Sequence, residues 1–130
     1  FVSKPEIFDV VVGSNLFGDI LTDLGAAISG GLGITPSGNI NPEKQYPSMF
    51  EAIHGSAPDI AGKGIANPIA QIWSTSLMLE HLGYSDLANV IVDGIEETLV
   101  EGKVRTPDLG GNANTTEFTE EIMEHIKSYA

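Results

Sequence analysis

The chain has 130 residues, 42% of them hydrophobic, a formal net charge of −12 and no cysteine. Five lysines and Arg105 against eighteen carboxylates leave no positive footprint for nucleic acid or an anionic membrane surface, and without thiols there is no disulfide framework and no thiolate catalysis. One modest core in a compact unit is expected; no apolar run nears the ~20 residues of a membrane span and no charged n-region leads into an apolar h-region, so a cytoplasmic protein is expected.

The first element in chain order is residues 7–12, a continuous apolar run of the kind that forms a strand buried on both faces. Residues 13–33 follow as a helix that Ser14 or Asn15 can cap and Gly30 and Gly31 can end. Leu16, Ile20, Leu24 and Ile28 recur every four residues and Phe17, Leu21 and Ala27 cover much of the rest, which predicts a helix buried on most sides. Asp19 and Asp23 are its only charges.

Residues 31–48 are dense in Gly, Pro and Asn and read as a loop; residues 49–53 read as a short strand that delivers His54 into Gly-Ser-Ala-Pro-Asp. Asn67 caps and Pro68 opens a helix that runs to about Leu82 and stops at Gly83. Ile69, Ile72, Trp73, Ser76, Leu77 and Glu80 lie on or near one face of it, with Trp73 in the core. Ser85 caps the next helix, to about Glu101, with Leu87, Val90, Ile91, Ile95 and Leu99 inward and Gly102 ending it. Glu96, Glu97 and Glu101 form a solvated acidic face. After a Pro- and Gly-containing loop at 104–111, a last helix starts at Thr115 or Thr116 and buries Phe118, Ile122, Ile126 and Tyr129, with His125 at the surface.

Two stretches carry chemistry. The i, i+4 spacing stacks Asp19 and Asp23 on one face, roughly 5–6 Å apart at Cβ, where a shared Mg2+ or Mn2+ relieves the repulsion of two close carboxylates. The other reading has one aspartate facing solvent or paired with a lysine. Backbone amides beside Gly55 and Ser56 suit a nucleotide's phosphates or ring edges, and Asp59 suits adjacent ribose hydroxyls. Taken singly, His54 is equally a satisfied structural histidine, Asp59 a turn residue or helix cap, and Asp108 a turn former.

The run FEAIHGSAPDIAGKGIANP, from Phe50 to Pro68, follows NLFGDILTDL and a GLGITPSGNIN turn. Together they resemble the metal-dependent, β-decarboxylating 2-hydroxy-acid dehydrogenases, the family of isopropylmalate, isocitrate, homoisocitrate, tartrate and D-malate dehydrogenases. The insert Asn39-Ile40-Asn41-Pro42-Glu43 and the helix start Ile69-Ala70-Gln71-Ile72-Trp73 look most like the tartrate/D-malate branch. The resemblance implies an α/β, isopropylmalate-dehydrogenase-like fold, not a Rossmann fold, of which this chain is a C-terminal fragment of about one third. Residues 1–31 would end the smaller, dimer-forming region with the metal-binding helix, and residues 32–130 would complete the large NAD-binding domain.

It further implies NAD held by Leu32, His54, Gly55, Ser56, Ala57, Asp59, Ile60, Asn67 and Asp108, and Mg2+ or Mn2+ held by Asp19 and Asp23. The implied substrate is a 2-hydroxy dicarboxylate and the implied assembly a homodimer, whose other subunit gives a third carboxylate ligand. An aspartate at the ribose repels a 2′-phosphate, so Asp59 followed by Ile60 favours NAD over NADP. The family's base, acid and substrate arginines lie upstream, and Lys63 and Tyr46 stand in the wrong segments to replace them, so the chain alone is expected to be inactive. The alternatives are 3-isopropylmalate or isocitrate/homoisocitrate dehydrogenase of the same family, a non-catalytic nucleotide-binding subunit, and an unrelated acidic interaction module.

Overall fold

A computed structural model describes residues 1–129 as four α-helices and one antiparallel hairpin, with short 3-10 turns at Pro5–Ile7, Leu32–Ile34 and Pro107–Leu109. Its centre is a helical layer of α2 (Ile69–Leu82), α3 (Ser85–Glu101) and α4 (Thr115–Tyr129), with α1 (Asn15–Ile28) to one side. The start of α2 and the ends of α2 and α3 follow the sequence signals, whereas Ser85, expected to cap α3, is its first helical residue, with Tyr84 at the N-cap and no side-chain cap hydrogen bond. Asn67 Oδ1 accepts the Ile69 N–H at 2.9 Å, and Gly83 and Gly102 close the helices in the left-handed conformation at φ 93° and 61°. Ile69, Ile95, Phe118 and Ile122 form the buried cluster, and Trp73 packs against it as expected, with Ile72, Ile91, Leu99 and Ile126.

Small residues let the helices approach. A Cβ on Gly94 would stand 2.6 Å from Ile126 Cγ1 and 3.0 Å from its backbone nitrogen, so α3 and α4 meet at a glycine contact. Between α2 and α3, the buried Ser76 hydroxyl donates to the Ala88 carbonyl at 2.9 Å. That contact turns Ala88 inward and leaves Leu87, expected in the core, exposed. Tyr129 is likewise about half exposed, because the α4 stripe ends at Ile126.

The stretch read as one long loop contains a strand. β1 (Pro36–Asn39) pairs antiparallel with β2 (Met49–Ala52) in the register Pro36↔Ala52 and Asn39↔Met49. Pro, Gly and Asn are poor strand formers, so β1 owes its conformation to its partner and to α2 beneath it. Phe50 crosses Gly38, where an added Cβ would come within 3.1 Å of its ring.

The N-terminal expectations fail. Residues 7–12 form no strand: only the 3-10 turn Pro5–Ile7 is regular there, and Val12 is 93% exposed. α1 is shorter than 13–33, since Ser29 caps it and Gly31 N–H turns back to the Ala26 carbonyl at 2.8 Å. Instead of being buried on most sides it buries only Ala26, and Leu16 and Phe17 are more than 60% exposed. The cause is an absence of partners: among the described residues no sheet or helix lies over this apolar surface, and only Phe1 reaches Gly25.

Candidate active site

Two of the clefts beside the hairpin gather the candidate residues. The first, about 510 Å3, lies between α1 and the outer face of the strands. Strand alternation sends Ser37, Asn39 and Glu51 into it, opposite Asp19 and Asp23, while Phe50 and Ala52 turn to α2. Ser37 and Glu51 are directly cross-strand. Thr22, between the aspartates, is occupied by its own helix, with Oγ1 at 3.0 Å from the Gly18 carbonyl and 2.9 Å from that of Asp19.

Asp19 and Asp23 are exposed to this cleft, and neither forms an ion pair among the described residues. The lysine pairing is therefore not what the structure adopts, whereas the solvent-facing reading is, for both aspartates. Carboxylates, amides and hydroxyls make an all-oxygen donor set, which fits Mg2+ or Mn2+ and does not fit a soft metal. No third carboxylate or histidine joins the pair within 4.8 Å among the described residues.

The second cleft, about 310 Å3 and largely apolar, brings together His54, Ala57, Ile60, Asn67 and Asp108 of the expected nucleotide residues. Leu32, Gly55, Ser56 and Asp59 do not line it. Asp59 stands exposed on the segment beyond Ala57, whose φ of 42° and that of Gly55, 63°, mark a sharply turned backbone. At the floor Asn67 Nδ2 donates to Asp108 Oδ2 at 2.9 Å, so one amide both starts α2 and fixes the carboxylate of a distant loop. Gly33 passes over this pair, and a Cβ there would stand 2.8 Å from Asp108 Oδ2. His54 Nδ1 lies 2.8 Å from the Gly55 carbonyl; a carbonyl only accepts, so Nδ1 carries a proton and Nε2 is the free ring atom.

The sequence reading missed Gly33 and Pro107 at the nucleotide cleft and Ser37, Asn39 and Glu51 at the carboxylate cleft. The alternation of Met49, Phe50, Glu51 and Ala52 was the available signal for Glu51. Nothing local marked Ser37 or Asn39, whose facing depends on pairing.

A third group corrects the reading of His125 as a surface residue, while Glu97 and Glu101 stay on the solvated acidic face and stand beside it. His125 is only 15% exposed; its Nδ1 lies 3.2 Å from Glu97, and its Nε2 lies 3.6 Å from Glu101 and 3.9 Å from Glu121. Lys103 Nζ sits 2.8 Å from Glu101, and that hydrogen bond holds the Glu101 carboxyl below its ordinary range and the lysine above its own. A hydrogen bond to Glu97 pushes the Tyr129 phenol up. Glu101, Glu121 and His125 are close enough to share an ion, and with Glu97 they form a polar seam between α3 and α4.

The chain is similar to whole enzymes along nearly its full length. Residues 1–122 match the family model described as isocitrate/isopropylmalate dehydrogenase. A probable tartrate dehydrogenase/decarboxylase of Bacillus subtilis is 54% identical over 127 residues, 98% of this chain and 36% of that protein. The decarboxylating D-malate dehydrogenase of Escherichia coli is 54% identical over 97% of this chain and 36% of its own. A 3-isopropylmalate dehydrogenase of Thermobifida fusca is 56% identical over 97% and 34%. The crystal structure of isocitrate dehydrogenase from Methylococcus capsulatus superposes with a TM-score of 0.91 at 47% identity, over 97% of this chain and 37% of that one. The chain thus spans about a third of the length of the relatives it matches, and its helices and hairpin are part of their α/β fold. With both clefts, the FEAIHGSAPDIAGKGIANP run and the carboxylate helix inside the matched region, the chain belongs to the isocitrate/isopropylmalate dehydrogenase family.

Proposed function

We propose that the whole protein is an NAD- and divalent-metal-dependent oxidoreductase that oxidises and decarboxylates a 2-hydroxy dicarboxylate, and that this chain supplies two metal ligands and much of the adenosine site. The observation that carries the reading is the adjacency of the clefts. Consecutive residues Ile53 and His54 line one each, so a metal-bound substrate and a nucleotide would lie side by side at the end of β2. Hydride transfer needs the nicotinamide beside the substrate, and a cofactor held by its adenosine end in the neighbouring cleft would be within reach of it.

When bound, the ion acts as a Lewis acid on the substrate's hydroxyl and later carbonyl oxygen, and NAD accepts the hydride. Asp19 and Asp23 would hold the ion from one helix face, while Asn39, Ser37 and Glu51 close the opposite wall. Asn67 and Asp108 would hold the adenine end on the apolar floor formed by Ala57 and Ile60. Asp59, exposed beside this cleft, would accept from the ribose hydroxyls, and its charge would reject a 2′-phosphate. No residue here is assigned as base or acid; those and the substrate arginines are expected upstream, as is a third ligand from a second subunit of a homodimer. Residues 1–31 would belong to the dimer-forming region, residues 32–130 to the NAD-binding domain, and a cytoplasmic location fits an NAD-linked acid oxidation. Relatives named for tartrate, D-malate and isopropylmalate have nearly equal identity, and tartrate or D-malate is favoured by the insert at 39–43.

The test is NAD reduction by the whole protein with Mn2+ across D-malate, tartrate, isopropylmalate and isocitrate. Turnover of D-malate or tartrate is expected; reduction with none of the four would overturn the reading. Asp19→Asn together with Asp23→Asn is expected to weaken Mn2+ binding by at least about a hundredfold, since two anionic ligands are lost. Unchanged Mn2+ affinity would remove the metal site.

A further inference from the structure

We propose that His81 and Ser74 of α2 are positioning residues for the carboxylate cleft: a two-point clamp that holds β2 and the 40–48 loop so that Glu51 and Asn39 form a fixed wall opposite Asp19 and Asp23. The proposal rests on the enzyme reading above for its function and on independent geometry for its structure.

The first point of the clamp is Ser74, fully buried, whose hydroxyl lies 2.7 Å from the Glu51 carbonyl and 2.7 Å from that of Ala70. Its single proton is shared between the two carbonyls, so it holds the backbone of the residue whose side chain enters the cleft through one arm of a bifurcated bond. The second point is His81, in the last turn of α2. Its Nε2 lies 3.1 Å from Ser48 Oγ, its ring lies 5.7 Å from that of Phe50, and its carbonyl accepts from Lys44 Nζ at 2.8 Å. Ser48 Oγ in turn accepts the Asn41 backbone N–H at 3.0 Å, which ties the two ends of the loop together.

The spacing explains why two points suffice. Ser74 and His81 are i, i+7, two turns apart on one helix face, or about 10.5 Å at 1.5 Å per residue. Glu51 and Ser48 are three residues apart in extended chain, roughly 10 Å at 3.3 Å per residue. Helix and strand therefore match in length between the two contacts, and Phe50 fills the space between them over Gly38. Lys44 is suited to its place, because the last carbonyls of a helix lack intrahelical donors and its C-terminus favours a cation. A hairpin with strands of four residues is marginal by itself. Its wall position has to be set from outside, and α2 is the element that touches it at both ends.

His81→Leu in the whole protein removes the ring nitrogens and the stacked edge, and His81→Gln restores a side chain that can hydrogen-bond to Ser48. The readouts are amide hydrogen exchange at Met49, Phe50 and Glu51, binding of D-malate with Mn2+, and binding of AMP, which probes the nucleotide cleft alone. His81→Leu is expected to speed exchange at those amides about tenfold and weaken D-malate about tenfold, with AMP affinity and exchange in the α3–α4 core unchanged and His81→Gln recovering most of both losses. Equal weakening of AMP and D-malate, or normal D-malate affinity and exchange in His81→Leu, overturns the clamp. If the unsubstituted protein binds none of D-malate, tartrate, isopropylmalate and isocitrate with Mn2+, the enzyme reading fails instead. Exchange at β2 then still decides whether His81 holds the hairpin: unchanged exchange in His81→Leu overturns it.

Discussion

At the scale of single residues, the nucleotide cleft depends on the lack of a side chain at Gly33. Gly33 has no side chain because Asp108 Oδ2 and Asn67 Cβ, at 2.8 and 3.2 Å, occupy the space one would take. Gly33→Ala is therefore expected to displace the Asn67–Asp108 pair and weaken AMP binding by about tenfold, the cost of losing one charge-assisted hydrogen bond, while leaving Mn2+ affinity unchanged. Calorimetry with AMP and with Mn2+ would separate the two, and equal losses would contradict the assignment. Lys103 shows the same logic in charge. Its hydrogen bond lowers the Glu101 pKa from the ordinary 4.5, so the pair's contribution is complete above that value and disappears as pH falls through the lowered one. The raised lysine pKa places the other limb above 10.5, where the contribution fades as pH rises. In Lys103→Met, the Glu101 carboxyl followed by NMR should titrate higher and the acid limb of thermal stability should flatten. A Glu101 titration unmoved by the substitution would show that His125, not Lys103, governs it.

At the scale of elements, the helices were legible because their ends are written in residue types with one conformational use: Asn67 as cap, Pro68 at the first turn, Gly83 and Gly102 in the left-handed region. Facing was less legible. α3 turns Ala88, Gly94, Ile95 and Thr98 inward and leaves Leu87 out, since close approach to α2 and α4 favours small residues over a larger apolar one. β1 was illegible for a related reason, its Pro-Ser-Gly-Asn sequence being turn-like until β2 and α2 fix it. Ser37 and Asn39 could therefore not be placed in the site from sequence, whereas Asp19 and Asp23 could, because helical spacing alone puts them on one face. The Gly94 contact gives an element-scale prediction. Gly94→Ala gains helix propensity of about 1 kcal/mol but drives a methyl into the Ile126 backbone, an overpacking cost of about 1–3 kcal/mol, so the net effect is destabilising. Thermal unfolding should show a lower Tm, partly restored by Ile126→Val, which shortens the side chain in its way. A higher Tm for Gly94→Ala would mean that α4 shifts freely and that the glycine contact does not set the packing.

At the scale of the whole molecule, the chain divides into a well-covered helical layer and an N-terminal part whose apolar surface has no partner among the described residues. Leu16, Phe17, Ile20, Leu24 and Ile28 are between 42% and 67% exposed along α1, and Val10 and Val12 extend that surface. Covering five half-exposed large side chains is worth about 1 kcal/mol each at 25 cal/mol/Å2, which in sum is comparable with the net stability of a small domain. We expect a surface of that kind to be covered in the whole protein, and in the 130-residue chain by itself it has only other copies to meet. The net charge of −12 opposes that meeting, and salt screens the repulsion. The chain alone should therefore run in light scattering above its 13.7 kDa monomer mass at micromolar concentration, and more so as salt is raised. Leu16→Lys with Ile20→Lys places two charges in the middle of the surface without touching the α2–α4 core, and should return a monomer with unchanged thermal unfolding. A monodisperse monomer of the unsubstituted chain at high salt would mean that the N-terminal segment folds back over α1 in solution, and the case for α1 as a contact surface of the whole protein would go with it.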